Sequence, residues 1–134
     1  MASRMKRHTL KKHDRLKSKK LLDSLFKTGE TFTVGPIRVF YRSHQEPINS
    51  KLQMVVAVPK RKIRKAADRN RVKRLIREAY RINNGELKQT LENAPENWSI
   101  GFFYRSSEIP VFKEVNDKII LSLQRLLQQI KREE

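Results

Sequence analysis

The stretch RNRVKRLIREAYR, residues 69–81, combines an apolar stripe with a dense run of basic side chains. An α-helix advances by about 100° per residue, and this spacing places four apolar side chains on one side of a helix: Val72, Leu75, Ile76 and Ala79. The basic and polar side chains lie on the opposite side or along its flanks: Arg69, Asn70, Arg71, Lys73, Arg74, Arg77 and Arg81. The pattern predicts a helix that packs on a core through one side and presents cations on the other.

The cationic side of this helix is suited to nucleic acid. The planar guanidinium of arginine binds phosphate through two hydrogen bonds and stacks on bases. A charged run on a helix is more often a solvated surface, but such surfaces alternate in sign and carry acidic partners at i,i+4. Within residues 69–81 the one acidic residue is Glu78. The composition of the stretch therefore favours binding to a polyanion.

The net charge of the 134-residue chain is +17, and two segments account for it. Residues 1–27 hold ten basic and two acidic residues (+8), residues 60–81 hold eleven and two (+9), and the remainder is neutral. Self-repulsion within such segments destabilises a compact state unless a polyanion offsets it. A surface that serves only solubility normally mixes the two signs. The charge distribution therefore also predicts a nucleic-acid partner.

Several classes of protein are disfavoured by what the sequence lacks. It has no cysteine, and no apolar run approaches the ~18 residues of a membrane span, so we expect a cytoplasmic protein without a membrane partner. His8, His13 and His44 have no carboxylate pattern around them, and neither a paired acidic motif nor a nucleotide-binding loop occurs. We therefore predict no catalytic residue and no metal ligand, and a protein that binds without catalysing.

The first half of the chain is predicted to contain a basic arm, a short helix and two strands. Residues 1–17 are interpreted as a flexible basic arm, and residues 18–134 as a single RNA-binding α/β domain. Ser18 caps a helix over KKLLDSLFKT that ends before Gly29. TFTVGPIRVFYR and KLQMVVAVP are rich in β-branched and aromatic residues and are predicted as strands, with a break or bulge at Gly35–Pro36 in the first.

The second half is predicted to alternate helices with one strand. The basic helix runs from about Ala66 to the INNG sequence, ELKQTLEN adds one or two helical turns, and NWSIGFFYR forms a third strand. A final helix after SSEIP has one apolar face: Val115, Ile119, Leu123, Leu126, Leu127 and Ile130. The order α-β-β-α-(α)-β-α predicts an α/β (α+β) two-layer sandwich, with a small mixed sheet of three to four strands packed against helices.

Aromatic residues alternate with arginine in RVFYR and FFYR. Exposed aromatic rings stack on single-stranded bases, whereas buried rings pack in the core of a sheet. Because neighbouring residues of a strand point to opposite faces, at most one of Phe40 and Tyr41 is expected to meet RNA.

The sequence RNRVKRLIRE, preceded by a strand that ends in VAVPKRK, resembles the protein subunit of bacterial ribonuclease P. That family carries the signature R-N-R-x-K-R-x-x-R-E, whose seven fixed positions all occur here in register. The basic start, the helix that closes in LFKTG, the strand RVFYR and the final amphipathic helix also follow the order of the family. The resemblance implies a left-handed βαβ crossover, although the right-handed form is far more common in proteins.

The resemblance also implies a function for the chain. In this family a large RNA is the catalyst and holds the Mg²⁺ ions. The protein, with one chain per RNA, binds that RNA and the 5′ leader of precursor tRNA, and so assists the endonucleolytic removal of the leader. We therefore expect a holoenzyme subunit that is inactive alone and binds no cofactor of its own.

Two groups of site residues follow. The resemblance assigns contact with the catalytic RNA to the signature, and the basic strand end adds two residues to this group: Arg61, Lys62, Arg69, Asn70, Arg71, Lys73 and Arg74. It places a leader cleft between the first helix and the sheet, lined by Leu22, Phe26, Phe40 and Arg77. The family often has an aromatic residue in place of Leu22, tyrosine in place of Phe40 and glycine in place of Arg64. Tyr41 would compensate for Phe40 if the strand register shifted by one residue.

Two alternative functions are weighed against this one. A structural RNA-binding protein, such as a ribosomal protein of similar fold, would have the same composition, and only the Arg-Asn-Arg signature argues against it. A stand-alone nuclease is disfavoured because the sequence has no recognisable catalytic motif.

Overall fold

The computed structural model describes residues 14–46 and 50–133. Within these ranges the chain forms four helices and four strands. Their order is α1 (Lys19–Thr28), β1 (Glu30–Val34), β2 (Ile37–His44), β3 (Leu52–Ala57), α2 (Ala66–Asn83), α3 (Gly85–Leu91), β4 (Asn97–Tyr104) and α4 (Phe112–Glu133). In this part of the chain, no helix combines the length and the apolar character that a membrane span requires.

The helix boundaries agree with the signals in the sequence. The Ser18 hydroxyl accepts a hydrogen bond from the backbone N–H of Leu21 at 3.3 Å, which satisfies a donor that the first turn of α1 leaves open. The helix ends before Gly29, as predicted. The basic helix α2 begins at Ala66 and has Asp68 in its first turn, where a negative charge interacts favourably with the positive end of the helix dipole. The predicted short helix and final helix correspond to α3 and α4.

The first predicted strand is a β-hairpin. Val34 pairs with Ile37, and Gly35 between them has a φ of 57°. Glycine adopts this left-handed conformation without steric cost, and the proline that follows fixes its own φ, so the two residues reverse the chain in a tight loop. The break expected at this position therefore separates β1 from β2, and the sheet has four strands, as the predicted three to four strands allowed.

The sheet is mixed, as predicted, with the strand order β1-β2-β4-β3. The pairs β1–β2 and β2–β4 are antiparallel, whereas β3 and β4 are parallel neighbours. Since α2 and α3 lie between these two strands in the chain, β3, the helices and β4 form the expected βαβ unit. The left hand of this crossover stays a prediction from the resemblance.

One face of the sheet is covered by α2, α3 and α4, and we call it the closed face. Alternate residues of β2, β3 and β4 point into this layer and are buried there, among them Val39, Met54, Ile100 and Phe102. All six apolar residues predicted on the last helix are buried against them. The closed face therefore holds the main hydrophobic core and confirms the two-layer sandwich of sheet and helices.

The other face, which we call the open face, is covered only in part, by α1. Leu21 and Leu25 of this helix are buried there, and Leu22, Phe26, Phe40 and Val55 pack around them while staying partly exposed. Gly101 of β4 lies directly beneath α1. A Cβ atom at this position would come within 3.1 Å of Leu25 Cδ2 and 3.2 Å of Phe26 Cζ, so the glycine allows the helix to approach the sheet closely.

The segment that precedes α1 also belongs to the folded part. The backbone N–H of Leu16 donates to the carbonyl of Met54 at 2.8 Å, and Arg15 forms a parallel bridge with the same residue. Asp14 is buried and lies 3.3 Å from the ammonium group of Lys88. Of the predicted basic arm, residues 1–13 lie outside the described residues, whereas residues 14–16 pack along the edge of β3.

Candidate nucleic-acid interface

Helix α2 is held to the sheet by the apolar stripe that the sequence predicts. Val72, Ile76 and Ala79 are fully buried, and Leu75 packs at the margin of the core. Tyr80 is also buried, with its ring centroid 5.9 Å from that of Phe102, a contact that the stripe did not include. This burial raises the pKa of the Tyr80 hydroxyl, which therefore stays neutral. The helix is thus fixed firmly enough to present its outer side as a rigid surface.

The outer side of α2 presents uncompensated positive charge. Asn70, Arg71 and Arg74 are exposed, and Lys73 is partly exposed. Among the described residues, these four side chains make no ion pair and no side-chain hydrogen bond. They are therefore available to a phosphate backbone without first breaking a contact within the protein.

Two further arginines of α2 are engaged within the protein. Arg69 Nη1 donates to the carbonyl of Ile63 at 2.9 Å and to that of Arg64 at 2.7 Å. It thereby stabilises the turn that leads into α2, and its contact with the RNA subunit stays a prediction. Arg81 is paired with Glu78, three residues earlier on the preceding turn, with Nε donating to Oε1 at 3.1 Å.

Arg77 lies on α2 in a different environment. Its side chain is half-buried, and burial, followed by the positive charge of nearby Arg15, lowers the pKa of its guanidinium. The Nε of Arg15 is itself buried and has no hydrogen-bond partner among the described residues. Two guanidinium groups thus lie near each other in a partly desolvated position, where an anion would stabilise both.

A cleft of about 750 Å³ opens on the open face, where the β1–β2 hairpin, the end of β4 and the turn after β3 meet. Four cationic side chains line it: Arg38, Arg61, Lys62 and Arg105. Two aromatic rings, Phe40 and Phe103, contribute apolar surface, and the residues that line the cleft include no acidic one. The cleft thus offers stacking surface and positive charge together.

Three of the four predicted leader residues come together beside this cleft. Leu22, Phe26 and Phe40 belong to one cluster on the open face, and the rings of Phe26 and Phe40 meet edge to face with centroids 4.9 Å apart. Arg77, the fourth, does not line the cleft. Arg61 and Lys62, predicted to bind the RNA subunit, do line it, so the structure places members of both predicted groups around the same opening.

Tyr41 cannot substitute for Phe40, and the alternative register is wrong. Its side chain points to the closed face and is only 5% exposed. There its ring packs against Trp98 at 6.4 Å and Phe32 at 6.0 Å between centroids. Phe40 is therefore the aromatic residue of this pair that the open face presents.

The remaining residues of interest are the histidines and the side chains that could bind a metal ion. His44 is buried, and its Nδ1 accepts a hydrogen bond from the backbone N–H of Glu46 at 3.2 Å, whereas His8 and His13 lie outside the described residues. Within residues 14–46 and 50–133, no group of three or more His, Cys, Asp or Glu side chains could hold a metal ion.

Sequence reasoning did not single out three residues of the cleft: Arg38, Phe103 and Arg105. The register of β2 with β4 pairs Arg38 with Phe103, which lies 65 positions later in the chain. The alternation of arginine with aromatic residues in RVFYR and FFYR was a partial signal. The pairing of the two strands, which no local pattern contains, brings these side chains together.

Comparison with known proteins shows which family and which known structures this chain resembles. The family model described as Ribonuclease P matches residues 10–130. A ribonuclease P protein component of Porphyromonas gingivalis is 38% identical over 117 residues, which cover 87% of this chain and 85% of that protein. The structure of the RNase P protein from Thermotoga maritima superposes with a TM-score of 0.63 at 26% identity and covers 83% of this chain and 96% of that one. A Staphylococcus aureus RNase P protein, at 16% identity and a TM-score of 0.55 over 83% of this chain and 94% of that chain, shares the fold.

Proposed function

Because this chain belongs to the ribonuclease P protein family, we propose that it binds the catalytic RNA through α2 and the 5′ leader of precursor tRNA through the cleft. As the protein component of a ribonuclease, it is a subunit of a nuclease holoenzyme. We further propose a cytoplasmic ribonucleoprotein with one protein chain per RNA, in which the RNA supplies the catalytic groups and holds Mg²⁺.

The outer side of α2 is suited to the RNA subunit. Asn70, Arg71, Lys73 and Arg74 are exposed or partly exposed and have no protein partner among the described residues. Guanidinium and ammonium groups in this state displace the counterions of an RNA backbone, which makes binding favourable and dependent on salt. Arg69 supports the same surface indirectly, because it fixes the turn from which α2 starts.

The leader assignment is supported above all by one observation, the composition of the cleft. A single-stranded leader exposes both phosphates and unpaired bases, and it therefore binds grooves that combine cations with aromatic rings. The cleft has both, contains no acidic side chain in its lining and is bordered by Phe26 and Leu22. A folded duplex would present its bases stacked and paired, and would leave the aromatic surface unused.

Arg77 and Arg15 add a phosphate-binding position outside the cleft. Both guanidinium groups are partly desolvated, and neither has an acidic partner among the described residues. Because an RNA phosphate would neutralise this local charge, we assign Arg77 to the backbone of bound RNA. Arg77 is not among the residues that line the cleft beside the β1–β2 hairpin, and its predicted contact with the leader stays a prediction.

The protein's part in the reaction is to bind and orient. Holding the leader in the cleft fixes the substrate relative to the RNA subunit, and such positioning lowers the entropic part of the barrier. No step of bond cleavage is assigned to a side chain of this protein.

Reconstitution tests this function. Precursor tRNA is incubated with Mg²⁺ and the protein alone, the cognate RNA subunit alone, or both. We expect the mature 5′ end to form efficiently at moderate Mg²⁺ only when both are present. Cleavage by the protein alone would indicate a stand-alone nuclease. Tight RNA binding without any gain in cleavage would indicate a structural RNA-binding protein.

A further inference from the structure

Within the cleft, the ring of Phe40 is covered by another side chain. The guanidinium carbon of Arg38 lies over this ring, 5.2 Å from its centroid. Phe26 packs against the same ring from α1. The ring of Phe40 is therefore contacted by Arg38 and Phe26, and the guanidinium of Arg38 is the exposed cation beside it.

The guanidinium of Arg38 is held in this position. Its Nε donates to the hydroxyl of Thr31 at 3.1 Å. Thr31 pairs with Phe40 across β1 and β2, so its side chain projects from the same face of the sheet beside the ring. One hydrogen bond and one cation–π contact thus restrain an exposed arginine side chain beside the ring of Phe40.

We propose that Arg38 forms a nucleobase-stacking site in which an unpaired base of the leader stacks on the outer side of the guanidinium. The inner side of the guanidinium rests on Phe40, and Thr31 is a positioning residue that holds its plane. This inference rests on the proposed binding of the leader in the cleft, and it assigns the contact with the base to an arginine in place of a phenyl ring.

The chemistry of arginine supports stacking at this position. Its guanidinium is planar, delocalised and weakly hydrated, so it stacks on aromatic rings and loses little solvation when a base covers it. The other cations of the cleft, Arg61, Lys62 and Arg105, make no such ring contact within the described residues. Arg38 is thus pre-arranged for a base, whereas the other three are suited to phosphates.

The chain provides a matched control for this arrangement. Arg125 on α4 lies over the ring of Phe32 at 4.4 Å, and its Nη1 donates to the carbonyl of Thr33 at 3.1 Å. Phe32 points away from the open face, because it alternates with Thr31 and Thr33 along β1. Arg125 therefore has the same cation–π chemistry outside the cleft.

The test compares Arg38→Lys with Arg125→Lys in the holoenzyme assembled from protein and RNA subunit. Lysine keeps the charge and removes the stacking plane. Affinity is measured for precursor tRNA with a leader of several nucleotides and for mature tRNA, at several salt concentrations. In parallel, single leader nucleosides are replaced by abasic residues, since loss of the base removes its stacking contact while the phosphates remain. Thr31→Val and Thr31→Ser test the positioning role, because only serine keeps the hydroxyl.

We expect Arg38→Lys to weaken binding of precursor tRNA about five- to thirtyfold, because one stacking contact is lost. The salt dependence of binding should not change, because the charge is kept. Binding of mature tRNA should not change, and Arg125→Lys should behave as wild type in both assays. At one leader position, removal of the base should weaken binding to the wild type and should have little further effect in Arg38→Lys. Thr31→Val should show part of the loss, and Thr31→Ser should restore it.

The opposite results separate this inference from the proposed function. If Arg38→Lys binds precursor tRNA normally or more tightly while Phe26→Leu weakens it, the base stacks on a phenyl ring and the inference is overturned. If neither substitution changes leader-dependent binding, the cleft does not hold the leader, and the proposed leader function fails with it. A change in salt dependence, with the same effect of base removal in the wild type and in Arg38→Lys, would assign Arg38 to a phosphate and also overturn the inference.

Discussion

The two faces of the sheet are built from the same strands, yet they serve different ends. The closed face is covered by three helices and holds the main core, whereas the open face is covered only by α1 and leaves a cationic cleft beside it. Neighbouring residues show the difference most clearly. Tyr41 and Phe102 are buried on the closed face, whereas Phe40 and Phe103 line the cleft. Strand alternation thus lets one short sequence supply both a buried core and an exposed surface of aromatic and cationic side chains.

Helix α2 divides its residues in the same way. Its inner side contributes Val72 and Ile76 to the closed face, and its outer side carries Arg71, Lys73 and Arg74. A substitution on one side should therefore change the stability of the fold, and a substitution on the other should change RNA binding. The comparison predicts that these two kinds of effect can be separated by experiment.

The largest effect is expected from Val72→Asp. Val72 is fully buried, and an unpaired carboxylate at this position should lower the free energy of unfolding by about 3–5 kcal/mol. Thermal denaturation followed by circular dichroism measures the loss. Arg71→Ala, one residue earlier on the exposed flank, should leave the melting temperature near that of wild type and weaken assembly with the RNA subunit. Equal losses of melting temperature in the two variants would contradict the division of α2 into two sides.

The next largest effect is expected from Phe26→Leu on the open face, as a loss of affinity for precursor tRNA. Phe26→Leu keeps most of the apolar volume beneath α1 and should cost less than about 1.5 kcal/mol of fold stability. Removal of its ring should reduce the affinity of the assembled complex for precursor tRNA about five- to a hundredfold. Affinity for the RNA subunit and for mature tRNA should remain near normal. If binding of the two tRNAs weakens to the same extent, Phe26 serves packing alone.

A smaller effect is expected on the outer side of α2. The logarithm of the affinity for RNA should fall linearly with the logarithm of the salt concentration, with a slope of about −0.9 per neutralised phosphate in duplex regions. Arg74→Ala should flatten this slope by about one unit if Arg74 contacts a phosphate. The measurement is a salt titration of binding to the RNA subunit. An unchanged slope and affinity would remove Arg74 from that interface.

The smallest effect is a dependence of stability on pH at the end of the open face. Burial lowers the pKa of His44 below its ordinary value of 6.5, and the charge of Arg42 adds to this shift, against the opposing effect of Glu46. The unfolded chain therefore binds a proton at higher pH than the folded one, so stability should fall as the pH decreases from about 6.5 towards the folded pKa. Melting temperatures of wild type and His44→Gln between pH 5 and 8 measure this contribution. A wild-type curve as flat as that of the variant would contradict it.

The elements that the sequence predicted well are those with local signals. The hydroxyl of Ser18 and the apolar spacing of α1 and α4 are properties of neighbouring residues, and these helices begin or end where such signals stand. The buried stripe of α2 was predictable for the same reason. The division at Gly35–Pro36 was less certain, because a glycine before a proline is compatible with both a bulge and a hairpin. Only the pairing of Val34 with Ile37 distinguishes these two possibilities.

The cleft depended on information that no local pattern contains. Arg38, Phe103 and Arg61 belong to separate segments, and they meet because β2 pairs with β4 and β4 with β3. The contacts of Arg69 with the carbonyls of the preceding turn were likewise invisible in the sequence, where it appears as one more cation of the signature. Charge and periodicity identify surfaces, whereas the partner of each side chain is set by tertiary structure.

Gly101 has a consequence for how the open face can change between related proteins. The absence of a side chain at this position sets the distance between α1 and the sheet, and Leu25 and Phe26 occupy the space that a methyl group would need. An alanine here would require those side chains to yield by a few tenths of an ångström, or the helix to rise. The distance between α1 and the sheet is therefore set by a residue of the sheet that need not contact RNA. If the leader binds on this face as proposed, a substitution of Gly101 would change the range of accepted leaders while every side chain of the cleft is retained.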